Sequence, residues 1–418
     1  MEWIGEIPEN WQLAKIGQHF KQRNDKVSDL DYRPLSVTKK GIVPQLDNAA
    51  KSSNHNDRKL VREGDFVINS RSDRKQSSGI AQEDGSVSLI NLVLKTSTID
   101  TEYTGYLLKN AGFAEEFYRW GNGIVADLWS TKWDNMKKIL IPLPNLSEQT
   151  KIAEEIQKKV KVIDSIISET QQSIDELKKY KQALITETVT KGLDKNAEMK
   201  DSGIDILPLI NDGWKVERVK NLFSMTKGLS ITKENLEDEG IPVISYGEIH
   251  SKYGFNFNPE IDYVKNVNTS YLENSKSALL EKGDFIFADT SEDINGSGNF
   301  TCFTGSIKTF AGYHTIILKA KVKFNYQYLA YLFDSSIFRS QIQKSVQGIK
   351  VFSITQRILK NQWVWLPPIE IQDEIVKYLD GKRIVIDKLI SEKLTELNEL
   401  DTYKKSLIFE YVTGKKEA

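Results

Sequence analysis

From Ser147 to Thr190, apolar or seam-tolerant residues recur at steps that alternate between four and three. They are Ile156, Val160, Ile163, Ile167, Thr170, Ile174, Leu177, Lys181 and Leu184. That spacing is the seam of a coiled coil. Lys and Glu fill the other faces, and the stretch holds no Pro or Gly to break a helix. At about 1.5 Å per residue it predicts a helix of roughly 65 Å, longer than an element inside a compact domain. The pattern returns from Ile371 to Thr413, at a constant offset of 223 residues from Gln149–Gln372 to Leu184–Leu407. Its seam holds Leu379, Ile386, Ile390, Leu397, Leu400 and Leu407. Two matched seams in one chain predict helices packed on each other. The long segment between them makes an antiparallel pair the expectation. Pro142 and Pro144 precede the first helix, and Pro367 and Pro368 the second, ending a strand and fixing the helix entry.

The segments ahead of the helices repeat as well. Ile7–Phe20 and Leu209–Phe223 each read as a short strand leading into a short helix, with Trp11 matching Trp214 and Phe20 matching Phe223. Gly64-Asp65-Phe66 and Gly283-Asp284-Phe285 are the same turn entering the same buried strand. A polar Gly- and Ser-rich loop follows each. Next come strand-like runs, Val87–Leu94 and His314–Leu318, and helical segments, Tyr103–Trp120 and Tyr326–Val346. The expected division is a globular domain over 1–146, a long helix over 147–190, a polar linker over 191–207, a second globular domain over 208–369, a second long helix over 370–413 and a tail over 414–418. The fold class is α+β: two similar mixed α/β domains separated by two long helices in an antiparallel coiled coil, with pseudo-twofold internal repetition. The aligned blocks are shared, but the segments between them diverge, as Pro34–Arg58 and Pro242–Lys276 show. One scaffold with dissimilar loops suggests two recognition surfaces.

Composition adds bounds. The 418 residues carry 57 Lys and Arg against 58 Asp and Glu, a formal charge of −1, so the chain is not a basic nucleic-acid binder by overall charge. One cysteine, Cys302, precludes an intrachain disulfide, and four scattered histidines argue against a His/Cys metal site. No apolar run is long enough to span a membrane, and the opening MEWIGEIPENW is acidic and unlike a signal peptide. A soluble, cytoplasmic protein is the expectation.

The layout resembles the specificity subunit of type I DNA restriction–modification systems. The resemblance rests on the openings IGEIPENW and DSGIDILPLINDGW, the Gly-Asp-Phe turns, the loop INSRSDRKQSSG followed by DGSVSLINLVL, the stretch FYRWGNGIVADLW, and the junctions IPLPNLSEQTKIAEEI and LPPIEIQDEIVKYL. It implies that each globular domain is a target-recognition domain reading one half of a bipartite sequence in double-stranded DNA, with the helices setting the gap. It implies partners: two methyltransferase subunits that modify adenine with S-adenosylmethionine, and two restriction subunits that complete an ATP- and Mg-dependent nuclease. It implies no catalytic activity and no bound cofactor in this chain. The second junction departs from the first, with Trp363, Trp365 and Ile371 where the first has Leu140, Pro142 and Glu148.

Motif absences agree. The sequence has no Walker-type phosphate loop and no Asn- or Asp-Pro-Pro-aromatic motif of an adenine methyltransferase. The strongest chemical candidates follow the first buried strand: Asn69, Ser70, Arg71, Ser72, Arg74, Lys75 and Ser78. Arg forks onto guanine O6 and N7, while Ser and Gln76 bond base edges or phosphates. The alternative is a solvated loop with an internal Arg–Asp pair. The matching loop, Asp289–Gly298, is acidic. It offers Thr290, Ser291 and Asn295, and Glu292 or Asp293 as acceptors from cytosine N4. Further candidates are Lys39, Lys40, Arg119 and Lys132 in the first domain, and Tyr246, Lys252, Gln347, Lys350 and Ser353 in the second. Trp120 and Phe352 read as core, and His314 as a hydrogen-bonded residue at a strand start. The seams allow homodimerisation as an alternative to the intrachain pair. A two-domain scaffold binding two different proteins is the competing function.

Overall fold

Each strand entered by a Gly-Asp-Phe turn lies inside a sheet, and its alternating side chains feed two cores. The computed structural model describes residues 3–45, 55–123, 129–346, 348 and 351–418. The chain forms two compact units, Met1–Gln172 with Lys393–Ala418, and Ser173–Glu392.

In the first unit a four-stranded antiparallel sheet runs in the order Phe20–Gln22, Asn91–Thr96, Phe66–Asn69, Ser78–Ile80. Successive strand residues point to opposite faces. Phe66, Ile68, Leu92 and Leu94 therefore join one core with Phe113 and Phe117. Val67 and Val93 join another with Leu35, Val61 and Val87. The second unit repeats this. Phe285, Phe287, Ile316 and Leu318 lie in one core, and Ile286, Ala288 and Ile317 in another. Its sheet has five strands, in the order Phe223–Lys227, Thr315–Ala320, Phe285–Ala288, Phe300–Phe303, Phe255–Phe257, with the last pair parallel.

The opening strand of each half pairs with the strand before its long helix. Gln12–Lys15 lies antiparallel to Leu140–Leu143, and Lys215–Arg218 to Trp363–Leu366. The segments read as single helical stretches are two helices each: Thr101–Leu107 and Ala111–Arg119, then Tyr326–Asp334 and Ser336–Ser345. The breaks are made by new N-caps, since the side chains of Asn110 and Ser335 accept from Phe113 N and Phe338 N. The polar stretch 191–207 is also more ordered than a linker. Met199–Asp201 pairs with Leu209–Asn211, and Ile204 and Leu207 enter the core.

The long helices run from Leu146 to Lys191 and from Ile369 to Val412. Ile156, Ile163, Thr170, Ile174, Leu379, Ile386 and Leu407 are buried. Val160, Ile167, Leu177, Lys181, Leu184, Ile390, Leu397 and Leu400 are half-buried, while neighbours such as Lys161, Val162, Glu169 and Lys179 are exposed. The helices pack antiparallel. In the first unit Lys404 pairs with Asp164, and Ile156 and Ile163 share a core with Leu407 and Val412. In the second, Lys181 Nζ lies 2.6 Å from Asp387. The two pairs are copies of each other, since Asp164 and Asp387, like Lys181 and Lys404, stand 223 positions apart.

Helix entries and exits are fastened identically. Gln149 donates to Pro144 O at 2.9 Å and accepts from Asp100 N at 2.8 Å. Gln372 donates to Pro367 O at 2.8 Å and accepts from Asn325 N at 2.9 Å. At the far ends, Tyr103 Oη donates to Val412 O, and Tyr328 Oη reaches Val189 O, meeting carbonyls the helix leaves unpaired. Burial pushes both phenols well above their usual range, so they stay donors. Gly192 and Gly414, at φ +75° and +73°, close the two helices in the left-handed conformation. None of the described helices is long and apolar enough to cross a membrane.

Candidate nucleic-acid interface

In the first unit the loop after Phe66–Asn69 is held by backbone at several points. Asn69 Oδ1 accepts from Arg71 N at 3.0 Å, Ser72 N donates to Trp129 O at 2.8 Å, and Thr131 N donates to Ser70 O at 2.9 Å. Arg71 forms a β-bridge with Ser130. Tyr118 Oη donates to Asn69 O and Arg74 O, tying the helix Ala111–Arg119 to the loop. A 3-10 turn over Ser72–Arg74 is capped by Lys75 and followed by Gln76, which takes φ +63°. The loop thus brings together three segments that lie apart in sequence: 69–78, the region around Arg119, and the residues before Lys132.

The side chains sort by exposure. Arg71, Arg74, Lys75 and Arg119 are accessible and carry carboxylate partners. Arg71 Nε bonds Asp73 at 3.0 Å, the intraloop pair that a solvated loop would also make, and Lys75 pairs with Glu115 at 3.1 Å. Arg119 reaches Glu116 at 3.5 Å. Ser72, Lys75, Glu115, Arg119 and exposed Trp129 line a cleft of 570 Å³. Ser70 and Ser78 are buried, at 6 % and 1 % exposure, which removes them from direct contact with a ligand and leaves them as supports of the loop. Lys132 is exposed at the start of the turn Trp133–Met136. Lys39 and Lys40 are exposed at the tip of the hairpin Leu35–Thr38/Gly41–Pro44. Trp120 is half-buried, with its indole N–H on Glu116.

The second unit builds the corresponding loop differently. Thr290–Ser291 pairs antiparallel with Phe352–Ser353, and Ile354 N donates to Asp289 O at 2.8 Å. His250 Nε2 donates to Thr290 O at 2.8 Å, which leaves its Nδ1 as the acceptor for Asn299 Nδ2 at 2.8 Å, a neutral tautomer assigned by the network. Arg339 donates to Asn295 O and Asn299 Oδ1. Tyr246 packs edge-on against His314, with ring centroids 5.2 Å apart, and His314 bonds Asp289 at 3.1 Å. His314 sits at φ +56° just before its strand. Thr290 is half-buried, Asn295, Lys252 and Ser353 are exposed, and Phe352 is half-buried. Ser291 is buried, its hydroxyl spent on Asp293 O at 2.7 Å, so it too supports the loop and does not face a ligand. Gln347 and Lys350 lie outside the described residues.

Sequence reasoning missed Trp129, Tyr118 and His250. A Trp in a polar loop was the available signal for the first. The other two act through backbone carbonyls, which no side-chain pattern reveals. Among the described residues, no cluster of three or more His, Cys, Asp or Glu side chains is placed to hold a metal ion.

Comparison with known proteins decides among the folds this arrangement allows. Residues 211–400 match the family model of the type I restriction modification DNA specificity domain. The specificity subunit of the type I restriction enzyme MjaVIII from Methanocaldococcus jannaschii is 24 % identical over 98 % of this chain and 93 % of its own. The second half of the chain carries this domain. The EcoKI specificity subunit of Escherichia coli is 25 % identical over 63 % of this chain and 55 % of its own. A chain from a structure describing complex assembly and conformational transition of the type I R-M system superposes with a TM-score of 0.72 at 14 % identity, covering 98 % of this chain and all of that one. The HsdS subunit of Thermoanaerobacter tengcongensis gives 0.51 at 15 % identity, covering 98 % of each. These likenesses show that the fold of those chains extends over both units of this one.

Proposed function

We propose that this chain is a type I specificity subunit and selects the DNA sequence on which a type I complex acts, each unit reading one half of a bipartite target. The observation that carries the reading is one frame used twice with unlike loops. In both units the loop after the central strand is clamped to a downstream segment, Arg71 to Ser130 in one and Thr290 to Ser353 in the other. The accessible groups differ: half-buried Arg71 with exposed Arg74, Lys75 and Arg119 in the first, and Lys252, Asn295 and Ser353 in the second. Arginine forks suit guanine in the major groove, whereas the acidic second loop suits donors such as cytosine N4. The two half-sites are therefore unlike in sequence.

In this reading the chain performs no chemistry. S-adenosylmethionine, ATP and Mg belong to two methyltransferase and two restriction subunits in the cytoplasm, and the long helices set the unread gap. A scaffold for two unrelated proteins is not favoured, because both the domain match and the relatives are DNA-specificity subunits.

Methylome sequencing of a host carrying the chain and its methyltransferase tests the proposal. The expected result is methylated adenine within one bipartite motif of two dissimilar blocks. Replacing Arg71 and Arg74 by Ala is expected to relax or abolish one block and leave the other intact. Methylation independent of this chain, or a motif unaffected as a whole, would refute it.

A further inference from the structure

The first unit holds a cleft of 460 Å³ that the recognition loop touches only at Gln76. Its rim is cationic. Lys39 and Lys40 come from the hairpin tip, Lys109 from the turn between two helices, and Lys404 and Lys405 from the second long helix, against one carboxylate, Asp401. Lys404 pairs with Asp164 and Lys405 with Asp401. Among the described residues, Lys39, Lys40 and Lys109 form no ion pair. The Lys109 ammonium lies over the hairpin turn, 4.0 Å from where a Cβ on Gly41 would stand. Burial, with Lys404 nearby, holds Lys109 below the usual lysine range, the condition of a cation kept without its counter-ion. The helix Ala111–Arg119 opens its N-terminus onto the same space, adding backbone partial positive charge.

The matching place in the second unit is built differently. Tyr106, on its floor, corresponds to Tyr331, and Val160 to Arg383. Phe255 covers Tyr331 with ring centroids 4.8 Å apart, and the Arg383 guanidinium stacks on Phe255 at 4.1 Å. The open, lysine-rimmed form is thus particular to the first unit and not a consequence of the shared frame.

We propose that this cleft is a phosphodiester site, taken by the DNA backbone beside the half-site that the first unit reads. The assignment rests on the function proposed above. Lysines that form no ion pair among the described residues, next to the loop proposed to read DNA, suit phosphates, which position a duplex without reading its sequence. DNA is then anchored unequally, mainly through the first unit.

The test uses the full chain with its methyltransferase partner and the variant Lys39→Gln/Lys40→Gln/Lys109→Gln. Binding is measured between 50 and 200 mM salt on a duplex carrying the mapped site and on one with both half-sites scrambled. Each phosphate contact contributes about 0.9 to the slope of log K against log salt. The variant should bind both duplexes more weakly by a similar factor, with a slope shallower by roughly one to two, and the methylated motif should stay the same. A slope equal to wild type, or weakening on one duplex only, overturns the cleft. Loss of co-elution with the methyltransferase at an unchanged slope also overturns it, and assigns the cleft to an acidic segment of the partner. If wild type binds neither duplex, the proposed function falls and the cleft with it. A thermal melt and the single variant Lys40→Gln, at a fully exposed hairpin tip, separate any folding defect from loss of contact.

Discussion

Asp65 follows the glycine of the first Gly-Asp-Phe turn, and its side chain explains the motif. It accepts from Arg23 Nε at 2.7 Å and Nη2 at 3.1 Å, and from Arg62 N at 2.8 Å, while almost fully buried. Asp284 does the same in the second unit, with Glu281 N and Lys319 Nζ at 2.8 and 2.9 Å. Removing one partner of a buried, hydrogen-bonded pair strands the other charge, at a cost of about 3–5 kcal/mol. Asp65→Ala should lose that much in urea denaturation, whereas Asp73→Ala in the exposed loop should lose less than about 1 kcal/mol. Equal losses would show that Asp65 is no anchor. The turn and strand were legible because a Gly-Asp-aromatic block before an apolar run is a local signal. Arg23, 42 positions upstream, was not, since nothing local ties it to Asp65, and Lys319 reaches Asp284 from a different strand. The same limit holds in the loops proposed to read DNA. Their location followed from a polar run after a buried strand. The burial of Ser70, Ser78 and Ser291 followed from tertiary clamps such as Thr131 on Ser70 O.

At the scale of elements, the long helices were the most legible feature, because a seven-residue repeat sustained over some forty positions has few readings. What the repeat left open was which stretch faces which. The structure answers with ion pairs in one antiparallel register, Lys181 with Asp387 and Lys404 with Asp164. It also shows that helix ends belong to the domain cores: Ile152 and Ile156 pack with Leu407 and Val412 in the first unit, and Ile185 and Val189 with Ile375 and Leu379 in the second. Residues some 190 positions apart in the second unit and some 250 in the first thus close one core, which period alone does not convey. Seam and ion pair should respond differently to substitution. Ile174 is fully buried, so Ile174→Ala should cost about 2–5 kcal/mol. Lys181 and Asp387 are partly exposed and screened, so Lys181→Glu should cost at most about 1 kcal/mol, recovered in Lys181→Glu/Asp387→Lys. Urea denaturation of the three variants checks both. A loss from Lys181→Glu that rivals Ile174→Ala, or one not recovered by the reversal, would place the specificity of pairing in charge and not in packing.

At the scale of the whole molecule, the chain is one device written twice. Gln149 and Gln372, Tyr103 and Tyr328, and Gly192 and Gly414 do the same work in each half. The two copies share their long helices, since each compact unit takes the first part of one and the last part of the other. Under the proposed function helix length is then the natural variable for the gap between half-sites, and its test must respect the pairing. Four residues inserted after Gln172 alone would shift one helix by roughly 6 Å against its partner and break the register fixed by Lys181–Asp387 and Lys404–Asp164. Four residues inserted after both Gln172 and Thr395 lengthen the helices together, and a four-residue stutter is absorbed by local unwinding of the coil. At about 3.4 Å per base pair, the double insertion should lengthen the unread gap by one or two base pairs and leave both half-site sequences as they were. The single insertion should instead abolish methylation. Methylome sequencing reads both outcomes. A double insertion that keeps the original gap would mean that spacing is set by the partner subunits or by the DNA, and that the helices serve only to join the two units.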